Sequence, residues 1–148
     1  MIEFGEKRQD VQYRDRPGCY GLLVNPEKEV AILSIGAEYF LPGGGIEKGE
    51  DDLGCLEREL MEELGYSIND CKKLGVATEY IQSQSSGRHY RIEGRYYRIF
   101  SYQAVDQPIE EDHELLWTSP DQAISLLTRD AQKWAVAQMK ESFSSAFN

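Results

Sequence analysis

Cysteine and long apolar runs are scarce in this sequence. The cysteines Cys19, Cys55 and Cys71 are odd in number and lack paired C-x-x-C spacing, which argues against a zinc site and against a disulfide framework. Reduced thiols are the default in the cytosol, so we expect a cytoplasmic protein. The chain has no apolar run of about 18 residues, the length that a membrane-spanning helix needs. Residues 1–15 are polar and charged, so we expect neither a membrane span nor a secretory signal.

Positive charge is also in short supply. The chain has 26 Asp and Glu against 16 Lys and Arg, a formal net charge of −10 at pH 7. General binding to nucleic acid backbones requires clustered Lys and Arg, so we expect no long nucleic acid partner. At 148 residues the chain can bury roughly 70% of its unfolded surface, and we expect residues 1–148 to form one domain.

Three glutamates crowd onto one turn of a predicted helix. At about 100° per residue, Glu59 and Glu63 lie roughly 40° apart, and Glu62 lies roughly 60° from Glu59 on the other side. Like charges at this spacing weaken a helix by a few tenths of a kcal/mol per pair, so a sequence that keeps three of them uses them together. In proteins, Mg²⁺ is usually bound by a few carboxylates together with the phosphates of the substrate. A leucine stripe borders them: Leu53, Leu56, Leu60 and Leu64.

The ends of this helix are also marked in the sequence. Asp51 or Asp52 is predicted to cap its N-terminus, and Gly65 is predicted to end it in the left-handed conformation. Upstream, residues 41–45 read Leu-Pro-Gly-Gly-Gly. Glycines there allow positive φ and let bare backbone approach a ligand or metal. Alone, this segment would be a tight turn, but its spacing from the helix forms a longer pattern.

The longer pattern runs from Gly44 through five residues to Glu50, then seven residues to Arg58-Glu59-Leu60. After one residue come Glu62-Glu63, then one more residue, Gly65 and Tyr66. With background frequencies of about 5–7% per residue, a chance match has odds on the order of one in a billion per window. The pattern resembles the Nudix box, although the family usually has an aliphatic residue where Tyr66 stands. The resemblance implies the Nudix fold, an α/β/α sandwich with a central mixed β-sheet.

The resemblance also implies an activity. Nudix hydrolases cleave a pyrophosphate bond in a nucleoside diphosphate linked to another moiety. By the same resemblance the metal ligands are Glu59, Glu62, Glu63 and the carbonyl of Gly43, and the cofactor is Mg²⁺ with Mn²⁺ as the alternative. Glu62 is the first candidate for the general base, with Glu59 or a carboxylate from a later loop as alternatives.

Two other residues of the box are expected to support the site. Arg58 is predicted to form a structural ion pair with Glu50 or Glu59. Glu50 is expected to brace the glycine-rich segment at residues 41–45, the glycine loop, against the helix, or to reach a metal through water.

A second acidic cluster precedes Trp117. The resemblance implies that one carboxylate from this part of the chain joins the metals, and Glu114 is our first candidate, ahead of Glu111 and Glu110. A solvated acidic loop is the alternative interpretation.

Residues that recognise the substrate must come from outside the box. Arg91, Arg95 and Tyr97 share one face of a predicted strand, and arginine suits phosphate while tyrosine can stack on a base. The opposite face holds Tyr90, Tyr96 and Arg98, and only one face can look into the site. A strand with solvated arginines and packed tyrosines is the alternative. A second candidate edge comprises Arg14, Arg16 and Tyr20.

The most favoured substrate is a (deoxy)nucleoside triphosphate or an oxidised nucleotide, with dinucleoside polyphosphates and ADP-ribose as alternatives. A catalytically idle nucleotide-sensing or protein-binding module would have lost box carboxylates, and this chain keeps them. An RNA-end hydrolase would need a basic surface, which only the arginines of residues 88–98 suggest. Many members of the family pair through a sheet or helix edge, so the resemblance also makes a homodimer one candidate assembly.

The remaining elements follow from local signals. Strands are predicted at residues 19–24 and 30–35 around an Asn25-Pro26 turn, and at 39–41, 74–81, 89–105 and 115–118. Helices are predicted from Pro120 through Leu127 and from about Asp130 to Phe143.

Overall fold

The structure, a computed structural model, describes residues 2–108 and 112–146. Its strands are β1 (Ile2–Phe4), β2 (Arg14–Leu23), β3 (Val30–Ile35), β4 (Glu38–Phe40), β5 (Gly43–Gly45), β6 (Tyr66–Gln82), β7 (His89–Ala104) and β8 (His113–Thr118). Its helices are α1 (Asp52–Leu64), α2 (Pro120–Leu126) and α3 (Asp130–Ala146).

Two β-sheets lie at the centre of the fold. Five strands form a sheet in the order β1-β6-β7-β2-β5, and three form a second sheet in the order β4-β3-β8. In the larger sheet β1 runs parallel to β6 and β2 runs parallel to β7, whereas β6–β7 and β2–β5 are antiparallel. The predicted α/β architecture with a central mixed sheet is therefore confirmed.

The hydrophobic core has two parts, one on each face of the larger sheet. On one face, α3 contributes Val136 and Met139 to a cluster with Leu22 and Tyr96. On the other face, α1 packs through a second cluster: Cys19, Leu23, Leu56, Leu60 and Ile99. Because β-strand side chains alternate between faces, neighbouring residues of β2 such as Leu22 and Leu23 enter different clusters. The helices therefore cover both faces of the sheet.

Helix α1 begins and ends as the sequence predicts. The Asp51 side chain accepts a hydrogen bond of 2.8 Å from the backbone N–H of Gly54, and Gly65 follows the helix with φ 71°. The leucine face was predicted only in part. Leu56, Leu60 and Leu64 are buried, but Leu53, in the first turn of the helix, is 46% exposed.

The sheets differ from the prediction in several places. The strand predicted at 19–24 begins at Arg14, and residues 43–45, predicted as part of a glycine-rich loop, pair with β2 as strand β5. The strand predicted at 74–81 begins at Tyr66, because the added segment is largely polar and lacks an apolar run. Strand β1 was not predicted, because its three residues are too few to show a pattern. The strands on either side of the Asn25-Pro26 turn belong to different sheets and are joined only by a bridge between Val24 and Val30.

None of the helices in the described part of the chain is long and apolar enough to cross a membrane. All three cysteines are free thiols.

Candidate active site

The glycine loop and α1 meet at two of the predicted carboxylates. β5 pairs with β2 in the larger sheet, which places the loop beside the last turns of α1. The Glu63 carboxylate accepts a hydrogen bond of 2.7 Å from the backbone N–H of Gly43. A Cβ atom added at Gly44 would lie 2.5 Å from Oε1 of Glu59. The loop therefore lies against both carboxylates, and the lack of a side chain at Gly44 is what leaves room for Glu59.

Arg58 ties this arrangement together. Its Nε donates to Glu50 at 2.7 Å, its Nη1 donates to Glu59 at 2.9 Å, and its Nη2 donates to the carbonyl of Gly45 at 3.0 Å. The ion pairs expected from the sequence, with Glu50 and with Glu59, are both present. Hydrogen bonding to Glu50 raises the pKa of Arg58, and the same hydrogen bonds lower the pKa of Glu50. Arg58 thus braces the glycine loop and positions Glu59.

The three glutamates of the turn differ in accessibility. The side chain of Glu63 is 8% exposed, that of Glu59 is 16% exposed, and that of Glu62 is 34% exposed. Glu62 contacts Arg58 only at 3.5 Å. Glu62 is therefore the carboxylate with the most freedom to meet a water molecule or a ligand.

The donor set fits a hard divalent cation, although the side chains are not gathered around one point. Within residues 2–108 and 112–146, no group of three His, Cys, Asp or Glu side chains converges closely enough to hold a metal ion. Like charges repel, and here Glu59 turns to Arg58 while Glu63 turns to the N–H of Gly43. Carboxylate and carbonyl oxygens are the ligands that Mg²⁺ prefers. The ligand roles of Glu59, Glu62, Glu63 and the Gly43 carbonyl stay predictions.

A cavity of about 280 Å³ adjoins the glycine loop. Part of its lining is the loop itself with Glu63, and part is aromatic, including Phe40. Tyr20 and Tyr96, also in the lining, stack with their ring centroids 5.6 Å apart, and burial raises the pKa of Tyr20 to about 12. The turn of α1 that carries Glu59, Glu62 and Glu63 is called the carboxylate turn below. The cavity therefore joins this turn to a surface suited to a flat ring.

Two arginines line the same cavity. The guanidinium of Arg16 lies 4.0 Å from the ring centroid of Tyr90, and that of Arg129 lies 5.7 Å from that of Phe40. Neither arginine forms an ion pair with a carboxylate among the described residues. Both also line a second cavity of about 340 Å³. Positive charge thus lies between the first cavity and a neighbouring one.

The polar lining of the first cavity includes two buried side chains. Glu79 accepts the backbone N–H of Ala131 at 2.8 Å, and Gln132 accepts that of Leu41 at 2.8 Å. Burial raises the pKa of Glu79 above its ordinary value. These side chains hold α3 and the entry to the glycine loop in place around the cavity.

The residues predicted to bind substrate lie on the other face of β7. Arg95 pairs with Asp52 at 2.7 Å, Tyr97 donates a hydrogen bond to Asp52, and Arg91 lies 3.4 Å from Asp15. The alternate residues of β7, such as Ile92 and Tyr96, line the cavity instead. The structure therefore does not bring Arg91, Arg95 and Tyr97 to the cavity, because the cavity lies on the α3 side of the sheet and these side chains face the α1 side. From the second candidate edge, Arg16 and Tyr20 do line it.

Glu114 is not brought to the carboxylate turn either. It is exposed and lies opposite Ser34 in the smaller sheet, and the neighbouring side chain, His113, points to Glu63, with Nδ1 3.5 Å from Oε2. Side chains alternate along a strand, so Glu114 faces away from Glu63. Glu110 and Glu111 lie outside the described residues.

His113 was missed by the sequence analysis. Alternation along β8 was the signal that could have found it. His113 shares a face of the strand with Leu115 and Trp117, which pack in the cluster around α1.

Comparison with known proteins places the chain in a family. A model of the NUDIX domain matches residues 15–140, and the chain therefore belongs to the Nudix hydrolases, as the box predicts. Members of this family generally use divalent metal ions and act on small nucleotide substrates.

Solved structures show the same fold. The MutT protein from Methanosarcina mazei Go1 is 17% identical with a TM-score of 0.72, over 90% of this chain and 98% of that one. The MutT NUDIX hydrolase from Burkholderia pseudomallei is 22% identical with a TM-score of 0.67, over 84% and 98%. A protein named ADP compounds hydrolase is 14% identical with a TM-score of 0.68, over 91% and 76%. At these identities the likeness shows the fold alone.

Proposed function

We propose that this protein is a Mg²⁺-dependent hydrolase of the pyrophosphate bond in a (deoxy)nucleoside triphosphate or an oxidised nucleotide. The observation that carries the proposal is that Glu59 and Glu63 both lie against the glycine loop. That loop and Glu63 also line a cavity with stacked aromatic rings. A phosphate chain at the carboxylates and a base in the cavity would together match one nucleotide.

Each part of the site has a role in this proposal. When bound, Mg²⁺ neutralises charge on phosphate oxygens and lowers the pKa of the attacking water. Glu59 and Glu63, held by Arg58 and by the Gly43 N–H, supply its ligands. Glu62, the most accessible of the three glutamates, accepts the proton of the attacking water.

The substrate is held mainly by groups outside the box. The ring of Tyr20, stacked on the buried ring of Tyr96, would offer an apolar face to a base in the cavity. Arg16 and Arg129 supply donors for phosphate oxygens or for the acceptor edge of a base.

A second candidate substrate is a nucleoside diphosphate joined to a further moiety, such as ADP-ribose. The second cavity shares Arg16, Ile81 and Arg129 with the first, and it would take the additional group. One protein of similar fold is also named an ADP compounds hydrolase.

The test is a panel of nucleotides assayed with Mg²⁺ and with Mn²⁺, with every product identified by chromatography and mass spectrometry. Nucleoside triphosphates, oxidised nucleotides, dinucleoside polyphosphates and ADP-ribose are compared at equal concentration. We expect a nucleoside monophosphate among the products of the preferred substrate. Cleavage of no member of the panel with either metal would refute the proposal.

Site variants assign the activity to the carboxylate turn. Glu59→Gln and Glu63→Gln should lower kcat by several orders of magnitude, and Glu62→Gln by about 10²- to 10⁴-fold, the range for a lost general base. Glu57→Gln is the matched control, because Glu57 lies on the same helix and is exposed. Near wild-type turnover by the Glu59 and Glu63 variants would show that the products arise elsewhere.

A further inference from the structure

His113 holds an unusual position beside the carboxylate turn. Its side chain is 15% exposed, and its Nδ1 is the one buried side-chain nitrogen or oxygen atom, among the residues that the structure describes, without a hydrogen-bond partner. Buried polar groups normally have hydrogen-bond partners, because a buried group without one has lost its hydrogen bonds to water and gained none in return. An unpartnered Nδ1 at this place therefore calls for an explanation.

The neighbouring carboxylate of Glu63 offers an acceptor for this nitrogen. Nδ1 of His113 lies 3.5 Å from Oε2 of Glu63, just beyond a hydrogen bond of about 2.7–3.2 Å. The other ring nitrogen, Nε2, lies 3.7 Å from Oδ1 of Asp112. Oε1 of Glu63 already accepts the Gly43 N–H at 2.7 Å. A small movement would bring Nδ1 of His113 within hydrogen-bond distance of Oε2.

The fold keeps the imidazole on this side of β8. His113 pairs with Ile35 in the smaller sheet, and Leu115 and Trp117 anchor the same face of β8 in the cluster around α1. The ring thus reaches the last turn of α1 from the smaller sheet, while Gly43 reaches it from the larger one. Glu63 lies between donors from both sheets.

We propose that His113 is a positioning residue for Glu63, donating its Nδ1–H to Oε2 and fixing the plane of the carboxylate. This inference rests on the proposed function in one respect, the role of Glu63 as a ligand of the divalent cation. Donors behind a metal ligand fix its orientation, and their loss typically costs 10- to 100-fold in metal affinity or activity. His113 itself touches neither substrate nor metal in this proposal.

The first test is an NMR measurement of the tautomer of His113. The chain has 2 histidines, so a long-range ¹H–¹⁵N spectrum at about pH 8.5, above the ordinary imidazole pKa, resolves both rings once His89→Ala has assigned them. We expect His113 to be the Nδ1–H tautomer and its Nδ1 resonance to move in Glu63→Gln. The Nε2–H tautomer for His113, or a spectrum unchanged by Glu63→Gln, would overturn the proposal.

The second test separates the two ring nitrogens by substitution. Asparagine places its amide nitrogen where Nδ1 lies, whereas glutamine places it near Nε2. Binding of Mn²⁺ is followed by the electron paramagnetic resonance signal of the free ion. We expect His113→Ala and His113→Gln to raise the Mn²⁺ dissociation constant by about 10- to 100-fold, and His113→Asn to stay within about threefold of the wild type.

His89→Ala, which removes the other histidine, should bind Mn²⁺ like the wild type. Wild-type affinity in His113→Ala, or equal losses in the Asn and Gln variants, would contradict the role of Nδ1. Neither the tautomer nor the Mn²⁺ measurement needs a substrate, so failure of the proposed activity would be distinguished from failure of this inference.

Discussion

Among single residues, the glutamates of α1 show how position outside the helix decides a role. Glu59, Glu62 and Glu63 carry the same charge, and helical spacing places all three within an arc of about 100°. The structure separates them, because β5 approaches Glu63 and Glu59 while Glu62 stays one-third exposed. The two held carboxylates suit fixed ligands and the freer one suits proton transfer. This difference arises from the position that β5 takes by pairing with β2, and helical spacing alone could not reveal it.

The arginines of the cavity give a test at the same scale. Arg16→Ala and Arg129→Ala should each raise KM by about tenfold, which is roughly 1.4 kcal/mol of binding, because each removes donors that have no carboxylate partner among the described residues. Steady-state kinetics on the preferred nucleotide measures this. The change in kcat should be smaller, since the ion pairs around Glu59 and Glu63 involve neither arginine.

Arg14→Ala is the control for this experiment, because Arg14 lies two residues before Arg16 in β2 and lines a different cavity. It should leave KM unchanged. If both cavity variants also keep the wild-type KM, the nucleotide does not occupy this cavity.

At the scale of elements, β7 shows what a periodic pattern can and cannot predict. Alternation divides its side chains into two sets correctly, but the direction of each set depends on which helix covers which face. Arg95 and Tyr97 turned to α1, where hydrogen bonds to Asp52 satisfy them. Burial raises the pKa of Asp52, but those hydrogen bonds outweigh it and the net shift is downward. The charged and aromatic set predicted to hold substrate instead joins β7 to the first turn of α1.

Other elements were predictable where a local signal marked their ends. Asp51 and Gly65 delimit α1, and Ser119 with Pro120 begins α2. The first half of β6 carries exposed polar side chains and register shifts, so it has neither an apolar run nor strict alternation. Its pairing with β7 alone makes it a strand, and such pairing is not visible in a local pattern.

Two substitutions in the glycine loop should separate its effect on turnover from its effect on stability. Gly44→Ala places a methyl group against the end of the flexible Glu59 side chain, which can rotate away, so we expect near wild-type stability and a kcat reduced at least about tenfold. Gly43→Ala meets the backbone of Cys19 and Tyr20 at φ 143° and should lower the free energy of unfolding by about 1–3 kcal/mol. Urea denaturation and turnover measure the two effects.

Gly45→Ala is the matched control, since the nearest atom to an added Cβ is 3.9 Å away and the φ there is not positive. It should change neither quantity appreciably. A Gly44→Ala variant with wild-type kcat would mean that the position of the Glu59 carboxylate does not matter for turnover.

Across the whole molecule, the site lies where the two sheets meet. The glycine loop belongs to the larger sheet, His113 belongs to the smaller one, and α1 reaches both. Within the box, the carboxylate turn and the Arg58 ion pairs were predictable because they lie within 14 residues of each other, from Glu50 to Glu63. The contributions of Arg16, Arg129 and His113 depend on the assembly of both sheets, which no single segment encodes.

The net charge of −10 gives the corresponding prediction for the whole molecule. Salt of any kind screens surface charge, but a cation held by the carboxylate turn binds the folded chain specifically. At 100 times its dissociation constant, Mg²⁺ should stabilise the fold by about 2.7 kcal/mol, or about 5–10 °C in Tm for a chain of this size. NaCl at equal ionic strength should give a smaller shift in calorimetry. Glu59→Gln and Glu63→Gln should lose the excess that Mg²⁺ gives and Glu57→Gln should keep it, whereas equal shifts from both salts would mean that Mg²⁺ acts only by screening.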